Sequence, residues 1–323
     1  MGLSVRRVAS LGEGLIELRG RPFESIHQGC GGDSLNTAVY LARLGKDQFE
    51  VSYVSVVGGD ALSEGMLECW TGEGIRTELV LRDPSRLPGL YWIQTDDQGE
   101  RSFHYWRENS AWRHFLQHPD FNRVALALNS IELLYLTGVS LATLPAKDRE
   151  RLLELLLGLS ASGVTIVYDT NYRVSLWESV NAARASTQRL VLSAQLIFAT
   201  FDDERQLWGD SEPATTIQRL HAAGAQTIIL KLGADGCLYS DASRTSLIPA
   251  CPVPHVIDTT AAGDAFNAGF LSGWLAHRSP ESCCRAGNAL AAAVIQQPGA
   301  LIPPEATPSM AKLFEASLSE PAK

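Results

Sequence analysis

Asp258-Thr259-Thr260-Ala261-Ala262-Gly263-Asp264-Ala265-Phe266-Asn267 is the stretch from which the fold of this chain is read. It places a turn of small residues directly ahead of an apolar helix. First-turn amides of a helix have no partner inside it, so this turn presents N–H groups to an anion. Ala261, Ala262 and Gly263 leave room for a phosphate to approach the backbone. Asp264 stands at the mouth of the same anion site. A helix start favours the ionised form, which predicts a lowered carboxyl pKa, making Asp264 a poor acid and an available weak base. Amides for a transferring phosphate and a carboxylate for an attacking hydroxyl are the pair that phosphoryl transfer needs. A plainer reading stands beside this one, Asp264 as a helix cap after a glycine turn.

Outward from that turn the chain alternates strands and helices. Leu133–Thr137, Thr165–Asp169, Leu196–Thr200 and Thr227–Lys231 are short apolar runs that read as strands. Lys147–Leu157, with Gly158 as its stop, and Pro213–His221 read as helices between them, and Ala286–Ile295 as a final small-residue helix. Towards the N-terminus, Val8–Gly12 is a strand ending in a glycine turn, and Gly31-Gly32-Asp33-Ser34 leads into a helix over Leu35–Leu44 that stops at Gly45. Val51–Val57 is a further strand, closed by Gly58-Gly59-Asp60. The pattern predicts an α/β fold with a mostly parallel central sheet and helices on both faces.

Leu90–Thr95 and Glu100–Trp106 are extended segments, with Asp96-Asp97-Gln98-Gly99 as the hairpin turn between them. Aromatics fall on both faces of the second segment, so the hairpin must cover a ligand or another subunit. With no internal repeat or low-complexity linker, residues 1–323 read as one domain. It carries a small β-sheet lid from segments about 13–21 and 89–108.

Bulk properties narrow the function. The chain has 323 residues, 45% of them hydrophobic, enough for a large core. A net charge of -9 disfavours non-specific binding to nucleic acid or to a membrane surface. Cys30, Cys69, Cys237, Cys251, Cys283 and Cys284 form no CxxC and no metal-ligand spacing, and read as reduced, mostly buried thiols. No signal-peptide stretch opens the chain and no apolar run reaches membrane-spanning length, so a cytoplasmic protein is expected. The histidines show no zinc-binding spacing.

In open parallel sheets ligands bind at the carboxyl ends of strands, and polar residues recur there. Gly32, Asp33 and Asn36 form a candidate polyol-binding edge, or only a loop. Arg107 and Arg173 are candidate clamps for an anion, or surface arginines. Tyr91 and Tyr105 pack the hairpin or bond substrate. Lys231-Leu-Gly233-Ala-Asp235-Gly236 is a glycine turn that cradles phosphate or merely reverses the chain. Asp202-Asp203-Glu204 is a solvated acidic face, or Glu204 helps hold Mg2+ through water. No GxxxxGK[ST] loop is present, so any nucleotide binds by another scheme.

These stretches together resemble the PfkB/ribokinase family of carbohydrate kinases over nearly the full chain. The family signature DTxGAGD appears as Asp258–Asp264, with Ala261 in place of a glycine, and the N-terminal signature as Gly31–Ala38 with Gly58-Gly59-Asp60 after it. Leu87–Tyr91, Gly99-Glu-Arg101, Tyr105-Trp-Arg107, Asp169–Arg173, Leu207-Trp-Gly209 and the alanine itself resemble the branch acting on 2-keto-3-deoxy sugar acids. One departure falls in the family's NxxE magnesium motif, where Phe201 replaces asparagine ahead of Glu204.

The resemblance implies a ribokinase-like fold and ATP-dependent phosphorylation of 2-keto-3-deoxy-D-gluconate at its 6-hydroxyl. It implies Asp264 as base and Ala261, Ala262, Gly263 and the Asp264 amide as the anion hole, shaped by Asp258. Gly32, Asp33, Asn36, Tyr91, Tyr105 and Arg107 line the sugar-acid site, with Arg173 reaching across to substrate and phosphate. Asn171, Lys231, Gly233, Asp235 and Gly236 fall on the nucleotide side, and Asn288 on the helix flanking adenine. ATP and Mg2+ are expected, with K+ a further candidate near Asp258, and a homo-oligomer formed through the lid. Alternatives from the same resemblance are a fructokinase, a kinase acting on both gluconate- and galactonate-series acids, or a non-catalytic sugar-acid sensor.

Overall fold

A computed structural model of the protein describes residues 5–46, 48–95 and 101–315. Its strands are β1 (Arg6–Leu11), β2 (Leu15–Arg19), β3 (His27–Gly31), β4 (Phe49–Gly58), β5 (Val80–Asp83), β6 (Gly89–Thr95), β7 (Arg101–Trp106), β8 (Leu133–Thr137), β9 (Thr165–Asp169), β10 (Leu196–Thr200), β11 (Thr227–Lys231), β12 (Cys237–Ser240) and β13 (Thr245–Ile248). Its helices are α1 (Asp33–Gly45), α2 (Ala61–Gly72), α3 (Phe121–Leu128), α4 (Gly138–Ala142), α5 (Ala146–Ala161), α6 (Val180–Ser193), α7 (Phe201–Trp208), α8 (Pro213–Ala222), α9 (Ala262–Leu275), α10 (Pro280–Val294) and α11 (Met310–Glu315).

The large sheet runs β13-β12-β11-β10-β9-β8-β1-β4-β5. Every pairing from β5 to β11 is parallel, and β12 and β13 are added antiparallel at one edge. Side chains alternate between its faces. Leu133 and Tyr135 of β8 enter the core shared with α1, α9 and α10, whereas Leu134 and Leu136 enter the core shared with α3, α5, α6 and α8. Burial on both faces explains why these strands are unbroken apolar runs. The small residues of α9 and α10 let the two helices touch. A Cβ at Gly269 would lie 2.7 Å from the Ala286 carbonyl oxygen.

A second, smaller sheet has the order β3-β2-β6-β7. Only its β2–β6 pairing is parallel. Leu15 pairs with Gly31 on one side and Gly89 on the other, so the residues just before β2 meet the loops around both glycines. The expected hairpin turn at Asp96–Gly99 lies outside the described residues, as does Glu100.

The structure departs from the sequence reading in several elements. Gly158 does not stop α5, which runs on to Ala161 because Leu159 is buried in the core. A mid-helix glycine costs about 1 kcal/mol against alanine, less than burying one leucine contributes. The strands β3, β12 and β13 and the helices α2 and α6 were not anticipated, and α10 begins at Pro280 rather than Ala286. Among the described residues no helix is long and apolar enough to cross a membrane.

Candidate active site

At the carboxyl ends of β1, β8, β9 and β11 and the starts of α1 and α9 lie Gly32, Asp33, Asn36, Asn171, Arg173, Lys231 and Ala261–Asp264. Tyr91 and Tyr105 belong instead to the small sheet, which Arg107 directly follows, Glu204 to α7 and Asn288 to α10. The turn before α9 is fastened by Asp258. Its Oδ1 accepts the Thr260 N–H at 2.9 Å and its Oδ2 the Gly299 N–H at 2.5 Å. Ala261 then takes a left-handed conformation, φ 59°, which costs a non-glycine residue about 1–2 kcal/mol. The Ala262 N–H donates to the Thr259 carbonyl at 3.2 Å. The Gly263 and Asp264 N–H groups find no acceptor among the described residues and remain for an anion.

Asp264 is the third residue of α9 and makes no capping bond. It turns instead to α1, where Asn36 Nδ2 donates to its Oδ2 at 2.9 Å and the Thr37 hydroxyl donates to its carbonyl at 3.3 Å. The expectation of a lowered pKa is overturned. Burial, then the negative charges of Asp33 and Asp169, push the Asp264 carboxyl up to about 8 against the Asn36 hydrogen bond and the Lys231 charge. The helix start is outweighed by burial and by the nearby Asp33 and Asp169 carboxyl groups.

Asp33 and Asn36 share the first turn of α1 but face different partners. Asp33 Oδ2 accepts from the Thr137 hydroxyl and from Asn171 Nδ2, both at 2.6 Å. Asn171, with φ 29°, is thereby tied to the Asp33 carboxylate. Below the anion turn, the Lys231 ammonium donates to Asp169 Oδ2 at 2.9 Å and Asn267 Oδ1 at 3.3 Å. Asn267 in turn donates to the same Asp169 oxygen at 2.6 Å and to the Tyr135 hydroxyl at 2.9 Å. A Cβ on Gly263 would sit 3.4 Å from Lys231 Nζ, so this ammonium backs the turn directly. Gly233 and Gly236 have φ 62° and 96°, and Asp235 is exposed between them. Asn288 holds the loop after β13 by donating to the Pro249 carbonyl at 2.8 Å.

In the small sheet, the Tyr91 and Tyr105 rings stack at 5.7 Å. The Tyr91 hydroxyl donates to the buried Glu17. Tyr105 is half exposed, and the Arg107 guanidinium lies 5.7 Å from its ring centroid. Both arginines have carboxylate partners. Arg107 Nε donates to Glu13 Oε2 at 2.9 Å, and Arg173 Nη1 to Asp203 Oδ2 at 3.0 Å. Gly32, φ 136°, admits no side chain because a Cβ would meet the Glu13 carbonyl oxygen at 2.5 Å.

The acidic run on α7 is graded in depth. Asp202 is exposed, Asp203 faces Arg173, and Glu204 is fully buried. Glu204 Oε2 accepts from Arg219 Nη2 at 2.7 Å, and the Thr170 hydroxyl lies beside the carboxylate. Arg219 also reaches Asp210 Oδ2 at 2.6 Å.

Sequence reading missed Glu13, Glu17, Tyr135 and Thr137 and gave Asn267 no role. Glu13 sits between two glycines in what reads as a turn, and nothing local marks it.

A family model described as pfkB family carbohydrate kinase matches residues 5–307. The chain belongs to that family. A 2-dehydro-3-deoxygluconokinase of Haemophilus influenzae is 46% identical over 302 residues, 92% of this chain and 96% of that protein. A 2-dehydro-3-deoxygluconokinase of Escherichia coli K12 is 41% identical over 308 residues, 94% of this chain and 99% of that protein. The crystal structure of a fructokinase with bound ATP from Xylella fastidiosa superposes with a TM-score of 0.81 at 22% identity, covering 97% of this chain and 99% of that one.

Proposed function

We propose that this protein is a 2-dehydro-3-deoxygluconokinase, transferring the γ-phosphoryl group of ATP to the 6-hydroxyl of 2-keto-3-deoxy-D-gluconate. The observation that carries the reaction type is Asp264, held by Asn36 beside the unpaired Gly263 and Asp264 N–H groups. Arg107, stacked near Tyr105, and Arg173 support an acidic sugar, and the similarity over nearly the full length to the two 2-dehydro-3-deoxygluconokinases supports that acid.

In the proposed step the 6-hydroxyl oxygen attacks the γ-phosphorus in line. The bond from that phosphorus to the β–γ bridging oxygen breaks, and its electron pair leaves with ADP. The hydroxyl proton passes to Asp264, which must be ionised to accept it. The Gly263 and Asp264 amides take up charge on the transferring oxygens, with the Lys231 ammonium behind them. Among the described residues no three His, Cys, Asp or Glu side chains are arranged to hold a metal ion. The site therefore fits a Mg2+ carried by the nucleotide's phosphates and water, with Glu204 acting at most through water. When bound, that ion offsets charge on the β and γ oxygens. Closure of the small sheet over the sugar would exclude water and protect the phosphoryl group from hydrolysis.

One observation favours a neutral sugar instead. Both arginines already hold carboxylates, which reduces the positive charge left for an acid. An ADP-release assay with 2-keto-3-deoxygluconate, its galactonate-series epimer, fructose and ribose separates the readings. Turnover of the keto-deoxy acid well above the neutral sugars supports the proposal. Good turnover of fructose or ribose without the acid refutes it.

A further inference from the structure

Glu13 lies just past the carboxyl end of β1, at the corner where Gly32, Gly89 and Arg107 meet. It is 5% exposed. Its two carboxylate oxygens are used unequally. Oε2 takes both Arg107 Nε at 2.9 Å and Arg107 Nη2 at 2.5 Å. Oε1 is buried with no hydrogen-bond partner. A buried carboxylate oxygen without a donor is costly, of order 1–3 kcal/mol. A substrate donor is the natural remedy in this corner. A Cβ on Gly89 would fall 2.6 Å from Oε1 and 2.6 Å from Leu15 Cδ2, so a larger residue there would displace the Glu13 carboxylate. Arg107 has a matching remainder, because its Nη1 has no acceptor among the described residues.

We infer that Glu13 is a specificity-determining residue of the sugar site. Its Oε2 fixes the Arg107 guanidinium so that Nη1 meets the substrate carboxylate, and its Oε1 accepts a hydrogen bond from a substrate hydroxyl next to that carboxylate. The pair is electrically neutral and reads an acceptor and a donor at adjacent positions. That combination is offered by the ring form of a 2-keto acid, whose anomeric hydroxyl sits beside the carboxylate. It is absent from a neutral ketose, which has the hydroxyl alone. The inference deepens the proposed function and rests on it.

The test is steady-state kinetics of Glu13→Gln, Glu13→Ala, Arg107→Ala and the Glu13→Ala/Arg107→Ala double variant. Substrates are 2-keto-3-deoxygluconate and fructose, with ATP titrated separately. A hydrogen bond to a charged group is worth about 1.5–3 kcal/mol, so Glu13→Ala should raise KM for the acid about tenfold to a hundredfold. Its kcat and its KM for ATP should stay within about threefold of the parent. Glu13→Gln, which keeps the shape and one acceptor, should recover part of the loss. The double variant should lose clearly less than the product of the two single effects, because the residues act as one unit. An unmoved KM for the acid in Glu13→Gln and Glu13→Ala overturns the inference. So does a Glu13→Ala variant too unstable to assay beside a Glu13→Gln variant identical to the parent, which would show packing alone. If the parent enzyme itself turns over no sugar acid, the functional assignment has failed, a result distinct from either of these.

Discussion

Asn36 Nδ2 donates to Asp264 Oδ2 at 2.9 Å, joining the first turn of α1 to the first turn of α9 across 228 positions of sequence. The bond does two things. It aims the carboxylate at the sugar edge beside Asp33, and it partly offsets the burial and like charge that raise the Asp264 pKa. A base held this way is strong once ionised but scarce at low pH.

The pH dependence of kcat/KM for the sugar should follow. With a free-enzyme pKa of about 8 for Asp264, kcat/KM should rise with pH, close to tenfold per unit below that value, and level off above it. A pH–rate profile from about pH 5.5 to 9.5 checks this. A profile flat above about pH 5 would place Asp264 in the ordinary carboxylate range.

Stability should respond with the opposite sign. The folded-state pKa of Asp264 is raised above its unfolded value, near 3.9. Its favourable contribution is therefore fully present below that value and is lost as pH rises through about 8. Asp264→Asn removes the loss. Its Tm should exceed that of the parent by about 2 °C or more at pH 8, with the gap shrinking toward pH 4. Thermal melts of the ligand-free proteins across that window measure it, and a constant or reversed gap would contradict the linkage.

Arg219→Ala should damage the fold rather than the chemistry directly. It strands the buried Glu204, and Asp210 beside it, without their shared cation. Leaving one member of a buried ion pair alone costs about 3–5 kcal/mol. Denaturant titration should show that loss. Glu204→Gln, which removes the buried charge, should recover much of it in the double variant.

Gly32→Ala should weaken sugar binding. The position has φ 136°, and a Cβ would come within 2.5 Å of the Glu13 carbonyl oxygen. Backbone strain of about 1–3 kcal/mol would displace the loop carrying Asp33. KM for the sugar should rise tenfold or more with little change in KM for ATP. An unaltered KM for the sugar would show that the loop tolerates the shift.

The central strands were legible because burial on both faces demands apolar residues at every position. Thr165–Asp169, Leu196–Thr200 and Thr227–Lys231 therefore announce themselves with their bounds. β3 did not, because His27-Gln28-Gly29-Cys30-Gly31 has no apolar alternation and is a strand only through its pairing with β2. Position was likewise legible at the site, since a small-residue turn ahead of a helix needs only local sequence. Proton affinity was not. The Asp264 carboxyl is raised by burial in the assembled fold and then by Asp33 and Asp169, which arrive on α1 and β9 from far along the chain. The Glu13–Arg107 and Arg173–Asp203 pairs were hidden for the same reason, being contacts between elements remote in sequence.

The most direct test of the account is turnover by Asp264→Asn with saturating 2-keto-3-deoxygluconate and ATP, measured beside ATP affinity by titration. Loss of a general base predicts a fall in kcat of about a hundredfold to ten-thousandfold, with ATP affinity within a few-fold of the parent. A variant that keeps most of its turnover would contradict the role given to Asp264 and the mechanism built on it.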